Sequence, residues 1–348
     1  GEQIRAKHNT LVQHLERLGK VTPAEWWEPI TGPLWQSRRK ARLSVRYVHK
    51  KERVLVGFRE RYGRFVADMN ECHVLDARIA QQIPELSKLI HSMDAASTIP
   101  QLEVACGDDD CALVVRHLEP LSEPDLGLLR KFARQSGIAI LLQPKGPDTI
   151  TCLEPASLEL TYRIPEFGIE MAFEASDFVQ VNAEINQKMI ARAIELLNPG
   201  EDDRVLDLFC GLGNFTLPIA TRAGEVIGVE GEPSLVRRAE ANAKRNQLDR
   251  AHFFAADLNL EPGAAPWLRD SYDKVLVDPP RSGAEFILPH IAASGARRVI
   301  YVSRHPASLA RDAGILVHDH GFSLLGAGVM DMFPHTGHVE SIALFERK

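Results

Sequence analysis

From Glu184 onward, apolar runs of five or six residues alternate with amphipathic stretches, and no other feature constrains the fold as much. The runs RVLDLF, EVIGVE, KVLVD and RVIYVS are apolar nearly throughout, as expected of strands covered on both faces. Expected strands are Arg204–Phe209, Glu225–Glu230, His252–Asp257, Lys274–Asp278, Arg298–Ser303, Phe322–Met330 and Glu340–Glu346. Pro233–Leu248 and Ala307–Ala313 fill gaps between them as helices. This rhythm predicts an α/β fold, a doubly wound, mostly parallel, Rossmann-like sheet over residues 171–348, with ligands at the C-terminal strand ends. Residues 29–170 read differently. Short strand-like runs (ARLSVRYV, RVLVGFRE, LEVACG, CALVVRHL, GIAILLQP, LELTYRIP) mix with helical stretches near Ala77–Met93 and Pro124–Gly137. That pattern predicts an α+β domain on a largely antiparallel sheet. Residues 1–28 open with an amphipathic helix carrying Ile4, Leu11, Val12, Leu15 and Leu18 at helical spacing. The chain starts at Gly1 inside this helical pattern, so residues preceding it are expected to have been removed or left out.

Charge is distributed unevenly. The net charge is −6, yet Thr31 to Arg64 holds eleven lysines and arginines against Glu52 and Glu60, which leaves the remainder strongly acidic. A basic block on an acidic protein predicts a local polyanion site. Trp35, Tyr47, Phe58 and Tyr62 are interleaved with it, which favours looped or single-stranded RNA over a plain solvated strand face. Five scattered cysteines (Cys72, Cys106, Cys111, Cys152 and Cys210) fit reduced thiols in a cytoplasmic protein better than a disulfide framework. No apolar run approaches the roughly 20 residues needed to cross a bilayer. The pair Trp26 and Trp27 is expected in the core or at a domain seam.

The strand VLDLF runs into Cys210-Gly211-Leu212-Gly213-Asn214-Phe215, where two glycines permit a tight turn and close approach to a ligand. The following strand closes in Glu230, whose carboxylate can accept both hydroxyls of a ribose. Asp257 ends the third strand, in reach of an adenine edge. The third glycine of a dinucleotide fingerprint is replaced by Thr216, so a pyrophosphate-binding NAD site is disfavoured and S-adenosylmethionine preferred. The fourth strand ends in Asp278-Pro279-Pro280-Arg281, a stiff loop placed to face a target base. An exocyclic-amine methyltransferase normally carries an aromatic after the two prolines, where this chain has Arg281. A pure RNA-binding module would have no cofactor affinity at all.

Across DLFCGLGNF, VEG, LVDPPRSG, VIYVSRHPASLARD and DMFPHTGHVESIALF, with DFVQVN (Asp177–Asn182) and RRKARLS upstream, the chain resembles the RNA uracil-C5 methyltransferases. Within them it is most similar to the branch that makes 5-methyluridine in 23S rRNA, and less to the tRNA-modifying branch. The resemblance implies a class I S-adenosylmethionine-dependent fold joined to an RNA-binding α+β domain, with the helix of residues 1–28 packing on the catalytic domain, in a cytoplasmic, monomeric enzyme with no membrane association. It implies cofactor contacts from Gln180, Phe209, Asn214, Glu230, Asp257 and Asp278. It implies RNA contacts from Arg38, Arg39, Lys40 and Arg42, and a role for Glu340 as the base that removes the C5 proton. Cys72, in NECHVLD, matches the fourth ligand of the family's [4Fe–4S] cluster. The other three would precede Gly1, so this chain alone cannot hold the cluster. Cys106 and Cys111 are given a core or loop role.

The family's chemistry is covalent. A cysteine thiolate adds to uracil C6, the electron pair moves to C5, C5 takes the methyl group, and loss of the C5 proton expels the thiol. That cysteine lies in an SCNP or SCHP motif. Here Ser303-Arg304-His305-Pro306 stands in its place, so Arg304 occupies the nucleophile position. A guanidinium is always protonated and only donates, so it cannot make the addition. Three readings follow: a sporadic or engineered loss of activity, an RNA- and cofactor-binding paralogue, or another residue taking over. Cys210 lies in the cofactor loop and is read as structural. His335 and His338 lack further zinc ligands and are read as shaping the pocket near Glu340.

Overall fold

The computed structural model describes the chain apart from Arg61, Tyr62, Arg64, residues 261–264 and Lys348. Tyr62 and the two arginines of the basic block thus lie outside the described residues. Two compact units emerge: Gly1–Gly32 with Arg163–Met171 and Glu184–Lys348, and Pro33–Tyr162 with Ala172–Ala183. No described helix is long and apolar enough to cross a membrane.

The first unit is built on an eight-stranded sheet. In chain order its strands are β1 (Glu25–Trp26), β2 (Arg204–Leu208), β3 (Glu225–Glu230), β4 (Ala251–Ala255), β5 (Lys274–Val277), β6 (Arg298–Ser303), β7 (Ser323–Met330) and β8 (Glu340–Glu346). They lie in the spatial order β1-β7-β8-β6-β5-β2-β3-β4. Strands β6, β5, β2, β3 and β4 are parallel, whereas β8 runs antiparallel to both β6 and β7. The order reverses between β2 and β5, so the ends of these two strands, Asp207 and Asp278, flank the switch point where such sheets take ligands. Val205, Leu208, Val275, Val277, Val299 and Tyr301 are fully buried, which explains the nearly unbroken apolar runs in sequence.

The helices are α1 (Glu2–His14), α2 (Ala183–Leu197), α3 (Thr216–Ala220), α4 (Pro233–Arg245), α5 (Leu288–Ala293) and α6 (Pro306–His318). Glu232 caps α4 through the Ser234 amide, and Pro233 occupies its first turn, where a missing N–H costs nothing. The helix stops at Arg245, short of the expected Leu248. Asn246 turns its side-chain amide back onto the carbonyls of Asn242 and Glu170, and Gln247 adopts φ +56°. Helix α1 ends in a π-helical turn, Leu15–Gly19, which lies against α6. Here glycine is obligatory: a Cβ on Gly19 would sit 2.4 Å from the Ala310 carbonyl oxygen, and one on Gly314 would sit 2.9 Å from that of Gly19. Trp27 covers the bare backbone of Gly326, where a Cβ would fall 2.2 Å from the indole, and Arg192 stacks 4.9 Å over its ring.

The second unit carries a six-stranded sheet whose spatial order is Arg53–Gly57, Lys40–Val48, Gln101–Cys106, Cys111–Arg116, Ala139–Gln143 and Thr151–Glu154. All neighbours are antiparallel except Cys111–Arg116 with Ala139–Gln143, which the helix Glu123–Ser136 joins. Ser122 caps that helix and Gly137 ends it at φ +72°. The helical stretch expected over Ala77–Met93 is split into Ala77–Ala80 and Ile83–His91, the latter starting with Pro84 in its first turn. One expectation is corrected. Cys106 and Cys111 face each other across a hairpin and are joined by a disulfide, whereas Cys72, Cys152 and Cys210 are free.

Candidate active site

The C-terminal ends of β2, β3 and β5 converge with the chain segments after β6 and before β8. Leaving β2, Phe209 and Gly211 adopt φ +63° and +56°, and Gly213 follows at +91°. This coil brings the backbone N–H of Gly211 onto the Glu230 carboxylate at 3.0 Å. Glu230 also accepts from the Glu232 amide at 3.1 Å. Asn214 is locked amide to amide with Asn186 of α2, through bonds of 2.9 and 3.1 Å. Asp257 accepts from the backbone and side chain of Asn259, which closes a turn after β4.

Three carboxyl groups are buried in this region. Asp207 is fully buried and accepts the Thr216 hydroxyl at 2.5 Å. Burial pushes its carboxyl up to about 8 against the Thr216 bond, with Asp278 and Glu230 adding to the rise. Asp278 lies at the end of β5 and accepts from Arg304 Nη2 at 3.0 Å through Oδ2. The remaining oxygens, Asp207 Oδ1 and Asp278 Oδ1, are buried without a hydrogen-bond partner. Orphaned buried acceptors are costly, and these two stand at the switch point, where sheets of this kind take ligands.

Glu340 opens β8. The antiparallel register pairs Ser303 with Ser341, so Arg304 and Glu340 each sit one residue beyond that pair, at the same end of the sheet. Glu340 is 4% exposed. Burial raises its carboxyl to about 7, Arg304 opposes the rise, Asp278 adds to it, and Lys7 and Arg281 oppose it. Burial works against the charge of Arg304, but Asp278, Glu340 and Glu230 outweigh it and lift the guanidinium above its ordinary value. The side chain therefore stays cationic, held against Asp278. Cys210, the thiol nearest in sequence to the cofactor loop, is buried, and burial together with Asp207 and Glu230 pushes it well up, away from the reactive thiolate.

Two supports escaped sequence reasoning. Asp312 of α6, fully buried, accepts from the Ala284 amide at 2.7 Å and the Tyr301 hydroxyl at 2.5 Å, fastening the loop that follows Asp278-Pro279-Pro280. Lys7 of α1, 3% exposed, donates to Asp331 at 2.7 Å and to the Phe333 carbonyl at 2.8 Å. Gln3 brackets the same segment, bonding the Thr336 carbonyl and the His335 amide. His338 lies 3.2 Å from Arg281 and against Phe333. The only signal for these anchors was a lysine on the apolar face of an amphipathic helix.

Gln180 falls in Ala172–Ala183, which belongs to the second unit, and is buried there. In the same unit Arg39 pairs with Asp108 at 2.6 Å, and Lys40 donates to the Ala175 carbonyl. Arg38 bonds the Lys40 carbonyl at 3.0 Å and stacks 5.9 Å over Phe58. Arg42 pairs with Glu103 at 2.8 Å but keeps 70% of its side chain exposed. Cys72 is half-buried. Among the described residues, the one group spaced for a metal ion is Asp76, Cys106 and Cys111, whose two sulfurs are already bonded to each other.

A doubly wound sheet with β8 inserted antiparallel, a glycine coil closed by a strand-end carboxylate and acids at the switch point define an S-adenosylmethionine-dependent methyltransferase. Residues 115–259 and 268–348 match the model of the tRNA (uracil-5-)-methyltransferases, and the chain belongs to that family. It is 53% identical, over all of its own length and 78% of theirs, to the 23S rRNA (uracil(1939)-C(5))-methyltransferase RlmD of Xanthomonas axonopodis pv. citri. It is 51% identical to the corresponding protein of Stenotrophomonas maltophilia, with the same coverage. Its fold is similar to that of the Pyrococcus abyssi tRNA (uracil-54, C5)-methyltransferase solved with S-adenosyl-L-homocysteine, with a TM-score of 0.74 and 20% identity over 99% of this chain and 83% of that one.

Proposed function

We propose that this chain is a 23S rRNA uracil-C5 methyltransferase that retains its cofactor and RNA sites but, as written, transfers methyl groups very slowly. The RNA class is supported by relatives at 51–53% identity whose names specify 23S rRNA. In this reading it works as a cytoplasmic monomer. The residues present fit the cofactor. Glu230 has lone pairs left for a ribose after binding Gly211 and Glu232. Phe209, Asn214 and Asp257 line the adenosyl side, and Asp278 offers its orphaned Oδ1. When bound, the cofactor supplies an electrophilic methyl group. Glu340 holds the base that takes the C5 proton, and a carboxyl titrating near 7 is matched to that task. Arg38, Arg39, Lys40 and Arg42 form the RNA-facing stretch, with Arg42 the most exposed. Cys72 supplies one thiolate, so a [4Fe–4S] cluster needs cysteines from outside this chain.

The observation that carries the reading is the Arg304–Asp278 ion pair at the position where the family resemblance puts a nucleophilic cysteine. Among the described residues, the thiol of the cofactor loop, Cys210, does not replace it, since it is buried and held as the thiol. Methyl transfer from labelled S-adenosylmethionine to unmodified 23S rRNA fragments tests it. The unaltered chain is expected at background, and Arg304→Cys at least about a hundredfold faster, the range typical of restoring a nucleophile. Robust turnover by the unaltered chain would refute the proposal.

A further inference from the structure

Arg304 also bears on which form of the cofactor this site holds. S-adenosylmethionine and S-adenosylhomocysteine share every polar group except one: the first carries a sulfonium and its methyl, the second a neutral thioether. The chemistry fixes where that difference lies. A nucleophile at position 304 bonds C6 of the pyrimidine while the methyl is delivered to C5, the adjacent atom, so residue 304 and the sulfonium flank the same double bond. Here that position carries a permanent cation. The carboxylate that would face a neighbouring positive charge, Asp278, is already engaged by Arg304 Nη2 at 3.0 Å. The side chain of Asp278 is 9% exposed and that of Arg304 24%, so water screens the pair poorly.

We propose that Arg304 makes the site select neutral S-adenosylhomocysteine over cationic S-adenosylmethionine, turning an enzyme that must discharge its product into a protein that retains it. This rests on the cofactor site read above, and adds to the missing nucleophile a second, independent consequence of the same residue. The charges around Arg304 and Glu340 are Asp278 at the end of β5, Glu230 at the end of β3 and Glu340 itself at the start of β8, with Lys7 and Arg281 as the positive charges. Removing one cation from this set restores an anionic site for a sulfonium; exchanging it for another cation does not.

Calorimetric titration of each ligand, without RNA, into the unaltered chain, Arg304→Met and Arg304→Lys tests this directly. Methionine keeps much of the volume and loses the charge; lysine keeps the charge and loses the planar fork. The unaltered chain is expected to bind S-adenosylhomocysteine at least about tenfold tighter than S-adenosylmethionine, a modest effect for two like charges at close quarters. Arg304→Met should shrink that ratio at least about fivefold, and Arg304→Lys should keep it, with raised salt leaving a buried effect largely intact. An unchanged ratio in Arg304→Met, or a ratio in Arg304→Lys that falls as far as in Arg304→Met, would overturn the selection. Failure of all three proteins to bind either ligand would instead overturn the cofactor-site reading, and the selection with it.

Discussion

On the proposed reading a single residue, Arg304, separates this chain from the chemistry of its family, and its neighbours determine what introducing a thiol would reveal. Glu340 titrates near 7 with Arg304 holding it down. Removing that cation should therefore raise the carboxyl further. In Arg304→Cys, the rate of methyl transfer is expected to climb with pH to an inflection above 7, because only the ionised carboxylate accepts the C5 proton. Glu340→Gln in the same background should lower kcat by at least about a hundredfold, leaving only the rise with pH that ionisation of the introduced thiol contributes. An unchanged kcat in that variant would remove Glu340 from the role of base. Asp312 makes the opposite kind of contribution. Asp312→Ala would strand the Tyr301 hydroxyl and the Ala284 amide in the core, costing about 3 kcal/mol in denaturant unfolding. Arg304 and Glu340 were singled out by motif and resemblance. Asp312 was not, since its partners are a tyrosine within a strand and a backbone amide in a loop, and no spacing in sequence announces such a contact.

At the scale of elements, the alternation of apolar strands and amphipathic helices located all seven strands expected after residue 200 to within one or two residues at most ends. Period and burial agree in the central strands, because strands covered on both faces leave no polar alternation to misread, whereas β4 at the sheet edge is only partly buried. Ends were harder. Helix α4 stops three residues early because the Asn246 side chain competes with the backbone ladder, a local contest that hydrophobic period does not register. The antiparallel pairing of β8 with both β6 and β7 was also hidden, although it is what sets Glu340 beside Arg304. Helix α1 was visible as amphipathic and, by resemblance, expected to pack on the catalytic domain, but the buried Lys7 through which it fastens the segment before β8 was not foreseen. Lys7→Met is expected to cost about 3–5 kcal/mol, as breaking a buried ion pair leaves Asp331 charged and alone. Gly19→Ala should destabilise by about 1–3 kcal/mol, since its methyl would meet the Ala310 carbonyl and neither backbone can retreat without separating the two elements. Urea titrations followed by far-ultraviolet circular dichroism would measure both, and a wild-type midpoint for Lys7→Met would show the anchor to be dispensable.

For the molecule as a whole, the buried acids make stability depend on pH in a definite direction. Asp207 and Glu340 have folded-state values near 8 and 7, above their ordinary 3.8 and 4.5. The folded chain thus holds protons that the unfolded chain has released, and the stability from these groups is fully present below 3.8 for Asp207 and 4.5 for Glu340, falls above those values, and is lost as pH rises through about 8 and 7 respectively. Each contributes a slope of about 1.4 kcal/mol per pH unit across its interval. Asp207→Asn should flatten the decline between pH 5 and 8, measured as the denaturant midpoint at each pH, and an equally steep decline in that variant would place its origin elsewhere. The proposed function makes this a chain that holds cofactor and RNA but lacks the sulfur that would start the reaction. The measurement closest to that claim uses RNA carrying 5-fluorouridine at the target position with S-adenosylmethionine, analysed on a denaturing gel. Fluorine at C5 cannot leave as a proton, so a thiolate that adds to C6 stays attached. Arg304→Cys is predicted to form a band that survives denaturation, and the unaltered chain none; a covalent adduct with the unaltered chain would contradict the account at its centre.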